Sequence, residues 1–141
     1  MANSQAISVQ FKSDILTKTC NLNSDTIKAA LYVTTASISG STTAYSATNE
    51  VSGPNYSAGG VATTAGTVAT SGTTAYWQPG ANIVYTNVTL TTAFDTVLLY
   101  DTTNSNHAIG SWTFGAQTIT AGTLTLTMPT NGSTTALIQL N

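Results

Sequence analysis

The run FDTVLLYDTT, residues 94–103, is the most apolar stretch of the chain and predicts a central β-strand. Its segment VLLY, residues 97–100, is apolar at consecutive positions, so both faces of the strand are suited to burial. The tripeptide NSN at 104–106 predicts a turn, and HAIGSWTFG at 107–115 predicts the antiparallel partner strand. The fold is therefore expected to be organised around a β-hairpin.

Further stretches carry the alternation or the turn boundaries of strands. In DTIKAALYVTT, residues 25–35, every second position is apolar, which places one face of a strand on a core. Other predicted strands are YW (76–77), ANIVYTNVTL (81–90), QTITAGTLTLTMP (117–129) and TTALIQLN (134–141), with weaker ones at 49–52 and within 61–72. About eight to ten short strands with regular turn signals predict an all-β fold, an antiparallel β-sandwich or barrel.

The composition supports the same fold class and suggests an assembled state. Only 6% of residues are charged, against roughly 25% in ordinary soluble domains, and threonine is abundant instead. Threonine is β-branched and suits a pleated surface. A net charge of −2 is low for a free small domain, and few charges mean few to desolvate when surfaces meet. The composition therefore favours a protein that works within an assembly.

The N-terminal residues are interpreted as an arm, residues 1–24, preceding a β-sandwich domain over residues 25–141. Ile7, Val9 and Phe11 alternate at the period of a strand. Ser13 or Asp14 could cap one short helical turn, which is the only helix that the sequence predicts.

Several classes of partner are not expected. The only cations are Lys12, Lys18 and Lys28, too few for the phosphate contacts of nucleic-acid binding or for an anionic membrane surface. No apolar run approaches the roughly 20 residues of a membrane-spanning helix. The start MANSQAISVQF lacks the pattern of a secretory signal, so synthesis in the cytosol is expected. Cys20 is the single cysteine and is interpreted as a small buried residue.

No group of residues predicts catalysis. His107 lies in a turn without further strong metal ligands nearby in sequence. Asp95 and Asp101 are interpreted as residues that bond strand ends and turns, because their spacing alone does not define a glycosidase pair. We therefore expect no catalytic residue, no metal and no cofactor, and the chain is not expected to be an enzyme.

Two tryptophans leave a second interpretation open. Trp77 and Trp112, together with the six tyrosines, could line a sugar-binding face. The alternative, which we favour, is that they anchor the core and an interface.

The stretch YSATNEVSGPNYSAGG, residues 45–60, concentrates one acid, two tyrosines and strong turn signals. Its glycines and proline predict a loop with fixed backbone geometry. Glu50 is expected to accept hydrogen bonds from backbone N–H groups of the loop. Tyr45 and Tyr56 are expected to pack over the sheet end with exposed hydroxyls. A loop that keeps one conformation suits a docking surface.

These stretches resemble a family of small virion structural proteins of tailed bacteriophages. The family pattern is a strand D-T-[IL]-K-x-A-L-Y, then T-x-x-E-V-[ST]-G-x-x-Y-x-x-G-G, then an apolar strand ending in Y-D. The matching residues are Asp25, Thr26, Lys28, Ala30, Leu31, Tyr32, Glu50, Val51, Gly53, Tyr56, Gly59, Gly60, Tyr100 and Asp101. The resemblance spans roughly residues 22–115, and the alanine- and threonine-rich segment after Gly60 departs from it.

The resemblance implies a particle component, first of all a capsid decoration, or cement, protein on the virion surface. Such a protein would bridge neighbouring major capsid proteins and stabilise the shell, and self-association, as a trimer, is the expected oligomeric form. The residues expected to make contacts are Ile7, Val9, Phe11, Tyr45, Glu50 and Tyr56. A head–tail joining, tail or fibre component is the alternative within the virion, and a carbohydrate-binding β-sandwich is the alternative of another class.

Overall fold

The computed structural model describes residues 2–141, which form eight strands and one short helix. The elements are β1 (Ala6–Ile7), α1 (Val9–Leu16), β2 (Ile27–Val33), β3 (Val61–Ala62), β4 (Ala69–Ser71), β5 (Thr74–Trp77), β6 (Ile83–Asp101), β7 (His107–Leu126) and β8 (Ile138–Leu140). One antiparallel sheet has the order β1-β7-β6-β2-β3, and the second has the order β4-β5-β8. The all-β, sandwich-like fold predicted from the sequence is confirmed.

The predicted hairpin is the dominant element, but it is longer than expected. β6 has 19 residues and β7 has 20, so each joins two stretches that the sequence suggested were separate strands. The register shifts between Leu90 and Phe94 and again between Phe94 and Thr96. Such irregularities bend a strand. Both halves of the bent hairpin consequently line one apolar groove, to which Ile83 and Trp112 contribute from opposite halves.

The predicted central strand is central, and apolar layers cover both of its faces. β6 pairs with β7 on one side and with β2 on the other. Val97 and Leu99 belong to the larger core cluster, which also contains Trp77 and Ile138 of the second sheet. Leu98 and Tyr100 point into a smaller cluster with Ala30, Tyr32 and Ala108. The consecutive apolar residues of β6 are explained by this burial on two sides.

The N-terminal residues adopt a helix where the sequence pattern predicted a strand. Strand pairing stops at Ile7, which lies opposite Gly110. The Ser8 hydroxyl then accepts a hydrogen bond from the Gln10 N–H at 3.1 Å and caps α1, so the helix begins at Val9 and not at Ser13 or Asp14. Helical spacing turns Phe11 into the core and leaves Val9 exposed. In the described part of the chain, no helix has the length and hydropathy needed to cross a membrane.

A side-chain contact between Asp14 and His107 holds this helix to the tip of the hairpin. The Asp14 carboxylate lies 2.9 Å from Nδ1 of His107, the first residue of β7, and also accepts a hydrogen bond from Gln10. Asp14 is buried, with 4% of its surface exposed. Residues 6–16 are therefore fixed to the sheet by strand pairing, by Phe11 and by this pair.

Candidate functional site

The Glu50 loop, defined here as residues 45–60, lies along the outer edge of β2. The Val51 N–H donates to the Leu31 carbonyl at 3.0 Å, and the Val33 N–H donates to the Asn49 carbonyl at 3.1 Å. The short strand predicted near this point is a single bridge between Glu50 and Tyr32. After Gly60 the chain continues directly into β3, which pairs with the other end of β2. The loop is therefore fixed to β2 at residues 49–51 and again where it ends.

The carboxylate of Glu50 holds the two halves of the loop together. It accepts hydrogen bonds from the Tyr45 hydroxyl at 2.6 Å, the Tyr56 hydroxyl at 2.7 Å and the Gly59 N–H at 2.7 Å. The backbone bond confirms the role predicted for Glu50. The prediction that both tyrosine hydroxyls are exposed was wrong, because they donate to this carboxylate. Three charge-assisted bonds converge on one side chain.

Three tyrosines of the sheet extend this cluster. Tyr45 stacks on Tyr100 with ring centroids 4.6 Å apart, and Tyr56 stacks on Tyr85 at 5.9 Å. The hydroxyls of all three sheet tyrosines donate to backbone carbonyls at 2.6 to 2.8 Å: Tyr32 to Ser46, Tyr85 to Ala29 and Tyr100 to Gly59. We call Glu50 with Tyr32, Tyr45, Tyr56, Tyr85 and Tyr100 the tyrosine cluster.

The local sequence pattern did not indicate the three tyrosines that the sheet contributes to the cluster. One signal was present: each lies in a predicted apolar strand, where a buried hydroxyl needs a hydrogen-bond partner. Backbone carbonyls supply these partners, those of Ser46 and Gly59 in the loop and that of Ala29 in β2, but the contacts depend on strand pairing that the sequence does not specify.

The electrostatics of the cluster suppress acid–base chemistry. Burial raises the pKa of Tyr56, and the neighbouring Glu50 carboxylate raises it further. Burial likewise raises the pKa of Tyr32, Tyr45, Tyr85 and Tyr100, with Glu50 contributing in each case. These hydroxyls therefore keep their protons at neutral pH and act as hydrogen-bond donors.

Gly60 completes the loop by a close backbone approach. Its φ is +70°, and a Cβ atom there would overlap the carbonyl group of Ala29 in β2. Only glycine combines that conformation with that contact. Gly60, the last residue of the loop, thus has a packing explanation.

We expect Glu50→Gln to lower the free energy of unfolding by about 2–3 kcal/mol, because the amide group cannot accept all three hydrogen bonds and removes the charge that strengthens them. The matched control is Asp95→Asn, a partly exposed carboxylate that accepts from Asn3 and Thr96. We expect Asp95→Asn to lower the free energy of unfolding by less than about 1 kcal/mol. Urea unfolding, monitored by tryptophan fluorescence, measures the free energy of unfolding of both variants. Equal losses of stability in the two variants would contradict the central role of Glu50.

The residues predicted to make contacts are distributed differently from the expectation. Val9 is 53% exposed, whereas Phe11 is 2% exposed and belongs to the core. Ile7, Tyr45, Glu50 and Tyr56 are half-buried. The loop residues that face solvent are small and uncharged: Ser46, Ala47, Thr48, Asn49, Ser52, Pro54, Asn55, Ser57 and Ala58. The half-buried tyrosine cluster thus fixes the shape of the loop, and the small exposed residues of the loop form the accessible surface.

Cys20, Asp25 and Asp101 form a second group of ionisable residues. Ligand atoms of Cys20, Asp25 and Asp101 lie within 4.8 Å of one another. However, the Asn104 side chain donates to both carboxylates, at 3.0 Å to Asp25 and 2.6 Å to Asp101. Burial, reinforced by Asp101, raises the pKa of the Cys20 thiol to about 12, so it stays protonated at neutral pH. This arrangement is a hydrogen-bonded turn support.

Two apolar depressions flank the core, and the two tryptophans differ in exposure. Trp77 is 2% exposed, so its ring is unavailable for stacking on a sugar. Trp112 is half-buried in the groove of about 400 Å³ between the halves of the hairpin, whose walls carry no titratable side chain. A smaller depression of about 200 Å³ lies beside α1 and is lined by Phe11, Ile15, Trp77 and Leu140, among others.

Comparisons with protein-family models, with curated proteins and with solved structures found no match for this chain.

Proposed function

We propose that this chain is a structural protein of a tailed-phage virion, a capsid decoration protein that bridges neighbouring major capsid proteins and stabilises the shell. The observation that carries the proposal is the pattern EVSGPNYSAGG, residues 50–60, through which the chain resembles small virion proteins. Glu50, Tyr56, Gly59 and Gly60 of this pattern are engaged in the loop framework. A pattern used to fix a loop shape supports recognition by docking.

The distribution of charge supports the same function. All five acidic side chains accept hydrogen bonds within the chain: Asp14 from Gln10, Asp25 from Asn104, Glu50 from Tyr45, Asp95 from Asn3 and Asp101 from Asn104. Few free carboxylates therefore have to lose water when the surface is covered. A large contact of small uncharged side chains suits a protein that is held by many weak interactions.

Bridging requires two contact regions on one rigid unit, and the described chain offers them. The Glu50 loop is fixed along β2, and α1 is fixed against β7. Each individual contact can be weak, because attachment at two points raises the effective concentration of the second contact. Repetition over a symmetric shell would multiply the stabilisation. We place the protein on the outer surface of the virion, with the major capsid protein and further copies of this chain as its partners.

Co-sedimentation tests the proposal. The purified protein is mixed with empty shells, assembled from the major capsid protein of the same phage, and the shells are pelleted. The protein alone is the control. We expect saturable co-sedimentation and a higher temperature of shell disruption. Absence of binding to intact shells would contradict the proposal, and binding only to isolated tails would favour the tail alternative.

A loop variant adds a check on the contact surface. Ala58→Glu places a charge on the exposed side of the Glu50 loop, and Thr73→Glu places one in the exposed β4–β5 turn. We expect the first to weaken shell binding about tenfold, since an unpaired charge would be buried, and the second to have little effect. Equal binding by the two variants would exclude the loop as a contact.

A further inference from the structure

The outer face of α1 carries two exposed apolar side chains, Val9 and Leu16, where a solvent-facing helix is ordinarily polar. Val9, Lys12, Ser13 and Leu16 recur at helical spacings of three and four residues and all are exposed. Leu16 is 87% exposed and Val9 is 53% exposed, the two largest values among the large apolar side chains of the described residues. We call these four residues, with Lys18 just beyond the helix, the outer face of α1.

The helix that carries this face is held firmly, so the exposure is not a sign of a frayed end. Ser8 caps its first turn, and Phe11 on the opposite side is buried in the core. Asp14 on that inner side is bonded to His107. A rigid helix presents Leu16 at low entropic cost, as a binding anchor requires.

The charge of the outer face is positive and unneutralised. Among the described residues, neither Lys12 nor Lys18 lies within salt-bridge distance of a carboxylate. The acid within α1, Asp14, is directed inward. Two of the three cations of a chain with net charge −2 therefore flank its most exposed leucine. This face complements a surface that is apolar at the centre and acidic around it.

We propose that the outer face of α1 docks into an apolar socket ringed by carboxylates on another protein. This rests on the proposed function, and the partner is then a site on the major capsid protein. A second copy of this chain fits less well, because its five acidic side chains are already hydrogen-bonded internally. An anionic membrane fits less well too, because lipid-binding segments generally carry four to eight basic residues.

Matched variants test the docking face in the shell-binding experiment. Leu16→Ser removes the apolar anchor, and Val84→Ser does the same to an exposed residue of β6. Lys12→Gln removes a charge from the face. We expect Leu16→Ser to weaken binding about tenfold or more, and Lys12→Gln to weaken it severalfold and reduce its salt dependence. The β6 variant should bind like the parent protein.

The outcomes separate the two proposals. Failure of the parent protein to bind shells overturns both. Shell binding that is unchanged in Leu16→Ser and Lys12→Gln leaves the capsid function standing and overturns the docking face. Dimerisation of the free protein that Leu16→Ser abolishes would assign the face to a second copy and overturn the proposal. Flotation with phosphatidylserine vesicles that depends on Leu16 would assign it to membranes and overturn it as well.

Discussion

Above about pH 10 the protein is expected to unfold cooperatively, over a narrow pH range. The unfolded chain releases tyrosine protons near pH 10. In the folded chain, burial and the Glu50 carboxylate raise the pKa of Tyr32 and Tyr85, and the same causes raise that of Tyr100. Because the folded pKa values are raised, this contribution to stability is complete below pH 10 and is lost as the pH rises above it.

The expected loss of stability per pH unit follows from the number of buried tyrosines. Each tyrosine that keeps its proton only in the folded state costs about 1.4 kcal/mol of stability per pH unit above pH 10. Tyr32, Tyr85 and Tyr100 are at most 2% exposed, and together they predict a loss of about 4 kcal/mol per pH unit. A stability typical of a small domain would be exhausted within a few pH units.

Stopped-flow pH-jump experiments measure this alkaline unfolding directly. Tyrosinate absorbance and loss of β-sheet circular dichroism should appear together. The control Tyr85→Phe removes one titrating hydroxyl and should reduce the pH slope by about 1.4 kcal/mol per unit. Tyrosinate absorbance of the full cluster near pH 10 in a chain that remains folded would contradict the buried hydrogen-bonded arrangement.

Gly60→Ala is expected to have the largest effect of any single methyl group added to the chain. The methyl group would overlap the Ala29 carbonyl, and alanine is strained at a φ of +70°. Since the obstacle is strand backbone and not a movable side chain, the loop and β2 would have to separate. We expect a loss of about 3 kcal/mol or more in the free energy of unfolding.

Gly72→Ala is the matched control. Gly72 also has positive φ, +58°, but no heavy atom lies within 4 Å of an added Cβ. Its substitution should therefore show only the conformational cost, about 1–2 kcal/mol. Urea unfolding of both variants separates the contact from the strain. Equal losses would show that the loop does not pack against β2 as described.

The strands with unbroken apolar pattern could be predicted from the sequence. Residues 25–35 predicted β2, which spans Ile27–Val33, and residues 94–103 predicted the central part of β6. The turn at 104–106 and its partner strand were also predicted, because the NSN tripeptide separates two apolar runs. Local pattern and turn chemistry determine these elements.

The continuity of the hairpin could not be predicted in the same way. Thr91 and Thr92 are exposed and interrupt the apolar alternation, although neither glycine nor proline breaks the chain there. The strand continues because β7 supplies backbone partners across a shifted register. Tertiary pairing, which the local pattern does not contain, decides such a case.

The N-terminal helix shows how two periods can compete in one short segment. Ile7, Val9 and Phe11 fit a strand, but Phe11 and Asp14 also share one face of a helix. The Ser8 cap and the distant partner His107 favour the helix. Only the Ser8 cap could have been predicted from the local sequence, as a serine ahead of a helical turn.

The candidate site was predicted in outline and not in its contacts. The loop at 45–60, its fixed geometry and the role of Glu50 followed from one acid among turn residues. The stacking of Tyr100 on Tyr45 joins residues 55 positions apart. Contacts between such distant residues depend on the fold and not on local composition.

A cryo-electron-microscopy reconstruction of empty shells incubated with the protein tests the central claim, attachment of a rigid, nearly uncharged β domain to the capsid exterior. We predict one additional density of this size at each equivalent junction between capsomers, with α1 and the Glu50 loop against the shell. Shells without added density, or density confined to the tail vertex, would contradict a decoration role.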